Sequence, residues 1–272
     1  MIVGEFLSRS VFSMRPNPHA STCPRAVDGL EGALTVPTLI EPKLSPVLPW
    51  SRLEAAVVRP VNLTSLVCIR HQADELKVRL GDWDVHRDDE FYPYVESSVV
   101  AAAVHPDFYP GNLHNDLALL KLERPLDLAA HPHIAPACLP EQGEKFDNRR
   151  CWVTGWGKNA FGEQGEYQSV LKEVDVPVLS HGDCQRRMRN TRLGRSYALH
   201  PGFVCAGGEP GKDACTGDGG SPLVCEGGAG WKVAGLVSWG IGCGQPGVPG
   251  VYVNVANYRA WIDAIIHGRQ HG

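Results

Sequence analysis

The decisive stretch runs from Cys215 to Cys225 and reads C-T-G-D-G-G-S-P-L-V-C. A cysteine stands at each end, glycines flank Asp218, and the position that follows the aspartate is Gly219, with no side chain of its own. The nearest hydroxyl downstream is Ser221. Outward from this block, Val233–Trp239 and Val251–Val255 are β-branched runs bounded by glycines and read as strands. Upstream, C-W-V-T-G-W-G (Cys151–Gly157) reads as strand then turn. Leu76–Leu80 alternates like a half-buried strand, and Val95–Val104 and Leu117–Leu122 are further strand candidates. Only Tyr258–Ile266 reads as a helix, with Tyr258, Trp261, Ile262 and Ile265 at helical spacing. This strand cadence predicts an all-β barrel or sandwich.

Composition narrows the function. At 272 residues the chain can bury a full core as one large β-domain. A net charge of −4 gives no footprint for nucleic acid or anionic membranes, and no apolar run is long enough to span a bilayer. Nine cysteines point to an oxidising compartment, and the odd count leaves at least one thiol over or one partner outside this chain. The first residues, M-I-V-G-E-F-L-S-R-S, lack the apolar core of a signal peptide, so the expectation is that the native N-terminus lies elsewhere. Residues 1–65 are proline-rich without sustained periodicity and are expected to be irregular.

Several motifs in one order carry a resemblance. N-D-L-A-L-L (Asn115–Leu120), A-C-L-P (Ala137–Pro140), C-W-V-T-G-W-G, the Cys215 block, V-S-W-G (Val237–Gly240) and P-G-V-Y (Pro249–Tyr252) together resemble the chymotrypsin/trypsin serine proteases over roughly residues 76–266. R-L-G-D-W-D-V (Arg79–Val85), H-P-D-F-Y-P-G-N-L-H-N-D (His105–Asp116) and G-D-G-G-S-P-L-V-C (Gly217–Cys225) are similar to a subgroup, the arthropod clip-domain serine protease homologues of the phenoloxidase-activating-factor-2 type. The resemblance implies a double six-stranded β-barrel with a C-terminal helix, its first barrel incomplete. The expected division is an unmatched segment, 1–65, and a protease-homologue domain, 66–266, split into a partial first barrel (66–135) and a second barrel with the helix (136–266).

The triad chemistry of this fold needs a hydroxyl that attacks, an imidazole that takes its proton and a buried carboxylate that orients the imidazole. Asp116 corresponds to the carboxylate, a relic if its partners are missing. The family's T-A-A-H-C has its best counterpart in S-L-V-C, which puts Val67 where the histidine belongs, with His71 three residues beyond. Gly219 replaces the nucleophile. Ser221 cannot substitute, since two extended residues span up to ~7 Å and attack needs ~3.5 Å. Gly217 and Gly219 would be the oxyanion-hole relic, and Asp213, Gly240 and Gly250 correspond to the specificity pocket. Two readings of that pocket stand: it accepts an Arg or Lys side chain, or it is an inherited cavity filled by a neighbouring loop. Asp218 corresponds to the carboxylate that pairs with a new N-terminus on zymogen cleavage; I-V-G-E at Ile2–Glu5 looks like such an end but is read as coincidental.

The resemblance also implies the disulfides Cys151–Cys225, Cys184–Cys205 and Cys215–Cys243, and leaves the partners of Cys23, Cys68 and Cys138 open. No cofactor is required. Asp82, Asp84 and Glu90 lie where some relatives bind calcium, the alternative being a solvated acidic loop. Gln185–Arg195 carries five arginines, either a solvated helix and loop or a protein-docking surface for an acidic partner. Asn62-Leu63-Thr64 is a glycosylation sequon.

The function expected is that of a secreted, catalytically inactive homologue acting as a binding cofactor in an extracellular immune cascade. Its partners would be prophenoloxidase or its activating protease, with no nucleic acid and no membrane span. The alternatives are an active trypsin-like endopeptidase cleaving after Arg or Lys, and a truncated product without function.

Overall fold

The computed structural model describes residues 61–64, 73–227 and 230–267. Val67, Cys68, His71, Cys23 and the Ile2–Glu5 segment lie outside the described residues. The strands in chain order are β1 Val61–Thr64, β2 Lys77–Leu80, β3 Val95–Val104, β4 Ala118–Leu122, β5 Arg150–Gly155 and β6 Lys172–Leu179. After the helix α1 (His181–Arg189) come β7 Phe203–Gly207, β8 Pro222–Gly227, β9 Gly230–Trp239, β10 Pro249–Asn254 and the helix α2 (Arg259–Ile266). The last six strands close a barrel in the order β10-β7-β6-β5-β8-β9. Among the described residues the first four form an open sheet, β1-β4-β3-β2. The structure thus has one closed barrel, one unclosed sheet and a short C-terminal helix.

Strands β6, β7 and β8 fall where no strand is singled out from the sequence, and β1 departs from the expectation outright. Val61–Thr64, inside the stretch read as irregular, is a strand paired antiparallel with β4, Asn62 opposite Leu120. Its pairing is with a strand almost sixty residues away, so no local periodicity was needed to form it. The helix α1 overlaps the start of Gln185–Arg195, for which a solvated helix and loop is one of the two readings, and it begins four residues earlier. It is capped by Ser180, whose hydroxyl accepts from the Asp183 N–H at 3.2 Å, and it buries only Cys184 and Met188. Two apolar positions at i and i+4 anchor it without a broad apolar stripe.

The core explains how β4 sits. Leu120 and Leu122 face the open sheet's own core with Leu76, Val78, Leu80 and Val99. Leu119, on the opposite face, packs with Val224, Val233, Leu236 and Ile262 of the barrel side. Side chains alternate along a strand, so a strand buried on both faces needs a near-continuous apolar run, which is what Leu117–Leu122 supplies. Leu119 and Ile262 are completely buried; each such side chain contributes roughly 1.5–3 kcal/mol relative to exposure. A second cluster fills the barrel, around Val153, Val176, Leu223 and Tyr252. No helix among the described residues is long and apolar enough to cross a membrane.

Candidate functional site

The site collects where the open sheet meets the barrel. Asp116 stands just before β4 and is fully buried. The hydroxyl of Ser238, in β9, donates to its Oδ2 at 2.7 Å. This contact spans 122 residues of chain and joins the two halves of the molecule. Ser238 belongs to V-S-W-G, a motif that marked the resemblance but gave no hint of this partnership.

The loop between β7 and β8 holds Asp213, Gly217, Asp218 and Gly219. It is clamped by the Cys215–Cys243 disulfide; Cys151–Cys225 and Cys184–Cys205 also form, the same three pairings the resemblance implied. Asp218 anchors the loop from inside. Its Oδ1 accepts from the Gly157 N–H at 2.8 Å and its Oδ2 from the Cys215 N–H at 2.9 Å. A Cβ on Gly157 would lie 2.5 Å from that carboxylate, and one on Gly155 would lie 2.1 Å from it. The glycines of C-W-V-T-G-W-G are therefore required by close approach rather than by turn geometry. Although part of Asp218 reaches the surface, loss of water around its carboxylate pushes its pKa up to about 6, against the lowering effect of the two N–H donors.

Gly219 offers no nucleophilic atom, and the nearest downstream hydroxyl is that of Ser221. Ser221 is fully buried, and its Oγ lies 3.0 Å from where a Cβ on Gly155 would stand, on the inner side of the loop. Gly217 adopts φ +97°, a conformation that favours glycine, and the ring of Tyr167 lies 2.6 Å from the point a Cβ would occupy. Tyr167 thus rests against the turn expected to form the oxyanion hole, a contact with no signal in the local sequence.

Asp213 is half-buried in the same loop. Its Oδ2 accepts from the Gly244 N–H at 3.1 Å. Its Oδ1 is buried without a hydrogen-bond partner among the described residues, as is the Tyr252 hydroxyl. A Cβ on Gly250 would stand 2.9 Å from that Oδ1 and 3.4 Å from that hydroxyl, so glycine is what lets the backbone pass close to both polar atoms. Burial is the main cause that pushes the Asp213 carboxyl up to about 6, and burial also drives the Tyr252 hydroxyl well above its ordinary value. A cavity of about 390 Å³ is lined by Asp213, Asp218, Thr154, Gly157 and the Lys158–Phe161 turn. Gly240 and Gly250 do not line it: the open volume lies on the β5 side of Asp213.

In the acidic loop one oxygen of each of the three carboxylates accepts a hydrogen bond from within the chain, while Asp82 Oδ1 is buried without a hydrogen-bond partner among the described residues. Asp82 Oδ2 accepts from Arg79 Nη1 at 3.1 Å, Glu90 Oε1 from the Asp84 N–H at 2.7 Å, and Asp84 Oδ1 from the His86 N–H at 3.2 Å. The cation in this loop is a guanidinium, and among the described residues no three His, Cys, Asp or Glu side chains gather to hold a metal ion. Cys138 is buried, its backbone bonded to Trp231 and Val233, while Cys23 and Cys68, the upstream candidates to pair with it, lie outside the described residues.

A closed six-stranded barrel beside a second sheet, a buried aspartate between them and a disulfide-clamped Gly-Asp-Gly-Gly loop define the trypsin class of fold. The trypsin family profile matches residues 57–262, and the chain belongs to that family. The match starts inside the stretch read as unmatched and takes in β1. Among its relatives, phenoloxidase-activating factor 2 of Galleria mellonella is 49% identical over 202 residues, covering 72% of this chain and 66% of the relative. The inactive CLIP domain-containing serine protease A3 of Aedes aegypti is 48% identical over 219 residues, covering 78% of this chain and 45% of the relative. A third, the inactive CLIP domain-containing serine protease A8 of Anopheles gambiae, is 40% identical over 218 residues, covering 78% of this chain and 58% of the relative. The chain thus spans between about half and two thirds of these relatives' length, and it is a homologue of clip-domain serine proteases.

Proposed function

We propose that this chain is a catalytically inactive member of the family that works by binding. Gly219 carries the argument: the loop around it is intact and anchored by Asp218, yet the atom that would attack a carbonyl is missing. The absence of a histidine in Ser65–Cys68 supports the same reading. The framework has outlived its chemistry, which leaves its surfaces and pockets as what it offers. Three disulfides suit an oxidising, extracellular setting. The names of the relatives support a role as cofactor in a proteolytic cascade that activates prophenoloxidase, with prophenoloxidase or its activating protease as partner. No bound cofactor is needed for such a role.

The test uses purified protein, a clip-domain activating protease and prophenoloxidase. The expected outcome is no hydrolysis of an arginyl anilide by the protein alone, and raised phenoloxidase activity when it joins the other two. Turnover by the protein alone, abolished by a serine-reactive phosphonate, defeats the inactive reading. Unchanged phenoloxidase activity defeats the cascade role.

A further inference from the structure

The helix α1 and the chain that returns over it build a second cleft, sharing no residue with the cavity beside Asp213. Between Ser180 and His200 the sequence places five arginines against one carboxylate, Asp183, in a chain of net charge −4. The helix spends only Cys184 and Met188 on the core and leaves its other faces to solvent or the returning loop. Bonds between the helix and that loop hold it in place, among them Arg189 Nε donating to the Tyr197 carbonyl at 2.7 Å, the Leu199 N–H to Gln185 Oε1 at 3.0 Å, and Thr191 Oγ1 to the Met188 carbonyl at 2.6 Å. The resulting cleft, about 580 Å³, is lined by Ser180, Asp183, Arg186, Arg189, Asn190 and Arg195 among others. Arg187 runs the other way, toward Gly208.

We infer that this cleft binds a sulfated polysaccharide. Guanidinium forks match the geometry of sulfate oxygens, and Arg189 is already fixed through its Nε with its terminal donors left to serve a ligand. Holding the loop in place beforehand lowers the entropy lost on binding. The lining decides the class of partner. It contains no aliphatic or aromatic side chain. A protein partner needs buried aromatic or apolar anchors, and single-stranded nucleic acid needs aromatic stacking platforms. A chain of sulfate groups needs neither. Asp183 is the internal competitor: its Oδ1 pairs with Arg186 Nη2 at 2.6 Å, and Arg186 is otherwise largely exposed.

Heparin is the probe, with affinity measured at about 0.15 M salt. The unaltered protein is expected to bind, and Arg186→Gln with Arg195→Gln to weaken binding by roughly tenfold for each guanidinium removed. Asp183→Asn is expected to tighten binding by about threefold, because it frees Arg186 from an exposed ion pair. This gain cannot arise from misfolding. Arg124→Gln with Lys145→Gln, basic residues exposed elsewhere, is expected to bind as the unaltered protein does. The inference is overturned if the Arg186/Arg195 variant binds like the unaltered protein, or if Asp183→Asn weakens binding. It is equally overturned if polyglutamate or single-stranded DNA of matched charge displaces heparin as well as free heparin does. Failure of the proposed cascade role would leave this result untouched, since the assay contains neither prophenoloxidase nor protease.

Discussion

The hydroxyl of Ser238 and the carboxylate of Asp116 meet at 2.7 Å in the interior, and through them β9 of the barrel grips the segment that enters β4 of the open sheet. A buried carboxylate oxygen that loses its donor keeps the whole cost of having left water. Ser238→Ala is therefore expected to destabilise the fold by roughly 1–3 kcal/mol. Urea unfolding checks this: the midpoint should fall while the slope stays the same. An unmoved midpoint would show that the bond contributes nothing to stability.

Hydrolysis should not return with the nucleophile alone. In enzymes of this kind, losing either the serine or the histidine costs about as much as losing the whole triad, on the order of 10⁶ in turnover. Gly219→Ser by itself is expected to leave arginyl-anilide hydrolysis at background. Gly219→Ser combined with Val67→His should be the first variant with measurable turnover. Activity in the single variant would mean that a histidine elsewhere in the chain reaches the loop.

Asp213 should make stability depend on pH in an unusual direction. Its carboxyl titrates at about 6 in the folded chain against an ordinary 3.8. The folded protein thus keeps a proton that the unfolded chain has already released. The contribution is present in full below the ordinary value and is lost as pH rises through 6. Asp213→Asn keeps an acceptor for the Gly244 N–H and removes the charge. The variant's stability relative to the unaltered protein should grow between pH 4 and 7 by up to about 3 kcal/mol. A pH-independent difference would count against a carboxyl held in so dry a place.

Two glycines should respond in opposite ways to alanine. At Gly157 the new methyl would meet the Asp218 carboxylate at 2.5 Å, and overpacking of this kind costs roughly 1–3 kcal/mol. At Gly182, in the first turn of α1, nothing lies within 4 Å of the added atom. There alanine should stabilise by about 0.4–1 kcal/mol through the lost freedom of the unfolded chain. Thermal unfolding of both variants, measured side by side, tests the pair.

Where periodicity was strong, the elements were legible. Val95–Val104 is β3 with the same bounds, and Tyr258–Ile266 contains α2. The strands that escaped, β1, β6, β7 and β8, are held by pairing with distant segments rather than by a local pattern. β1 depends on β4, and β8 pairs with β5 some seventy residues before it. The candidate site divides the same way. Gly219 and Asp213 could be read as letters, whereas Ser238, Thr154, Tyr252 and Tyr167 acquired a place only through packing.

By itself the sequence determined which atoms are available. A glycine at 219 has no nucleophile in any fold, and an aspartate at 116, 213 or 218 brings a carboxylate wherever it is carried. Those facts are covalent and do not depend on neighbours. Only the tertiary structure decided what each atom experiences. Asp218 is an anchor because two backbone N–H groups converge on it, and Asp82 and Glu96 share the guanidinium of Arg79. The open volume beside Asp213 faces β5 rather than Gly240 and Gly250. Desolvation and approach distance are properties of segments brought together from far apart in the chain, and no local pattern encodes them.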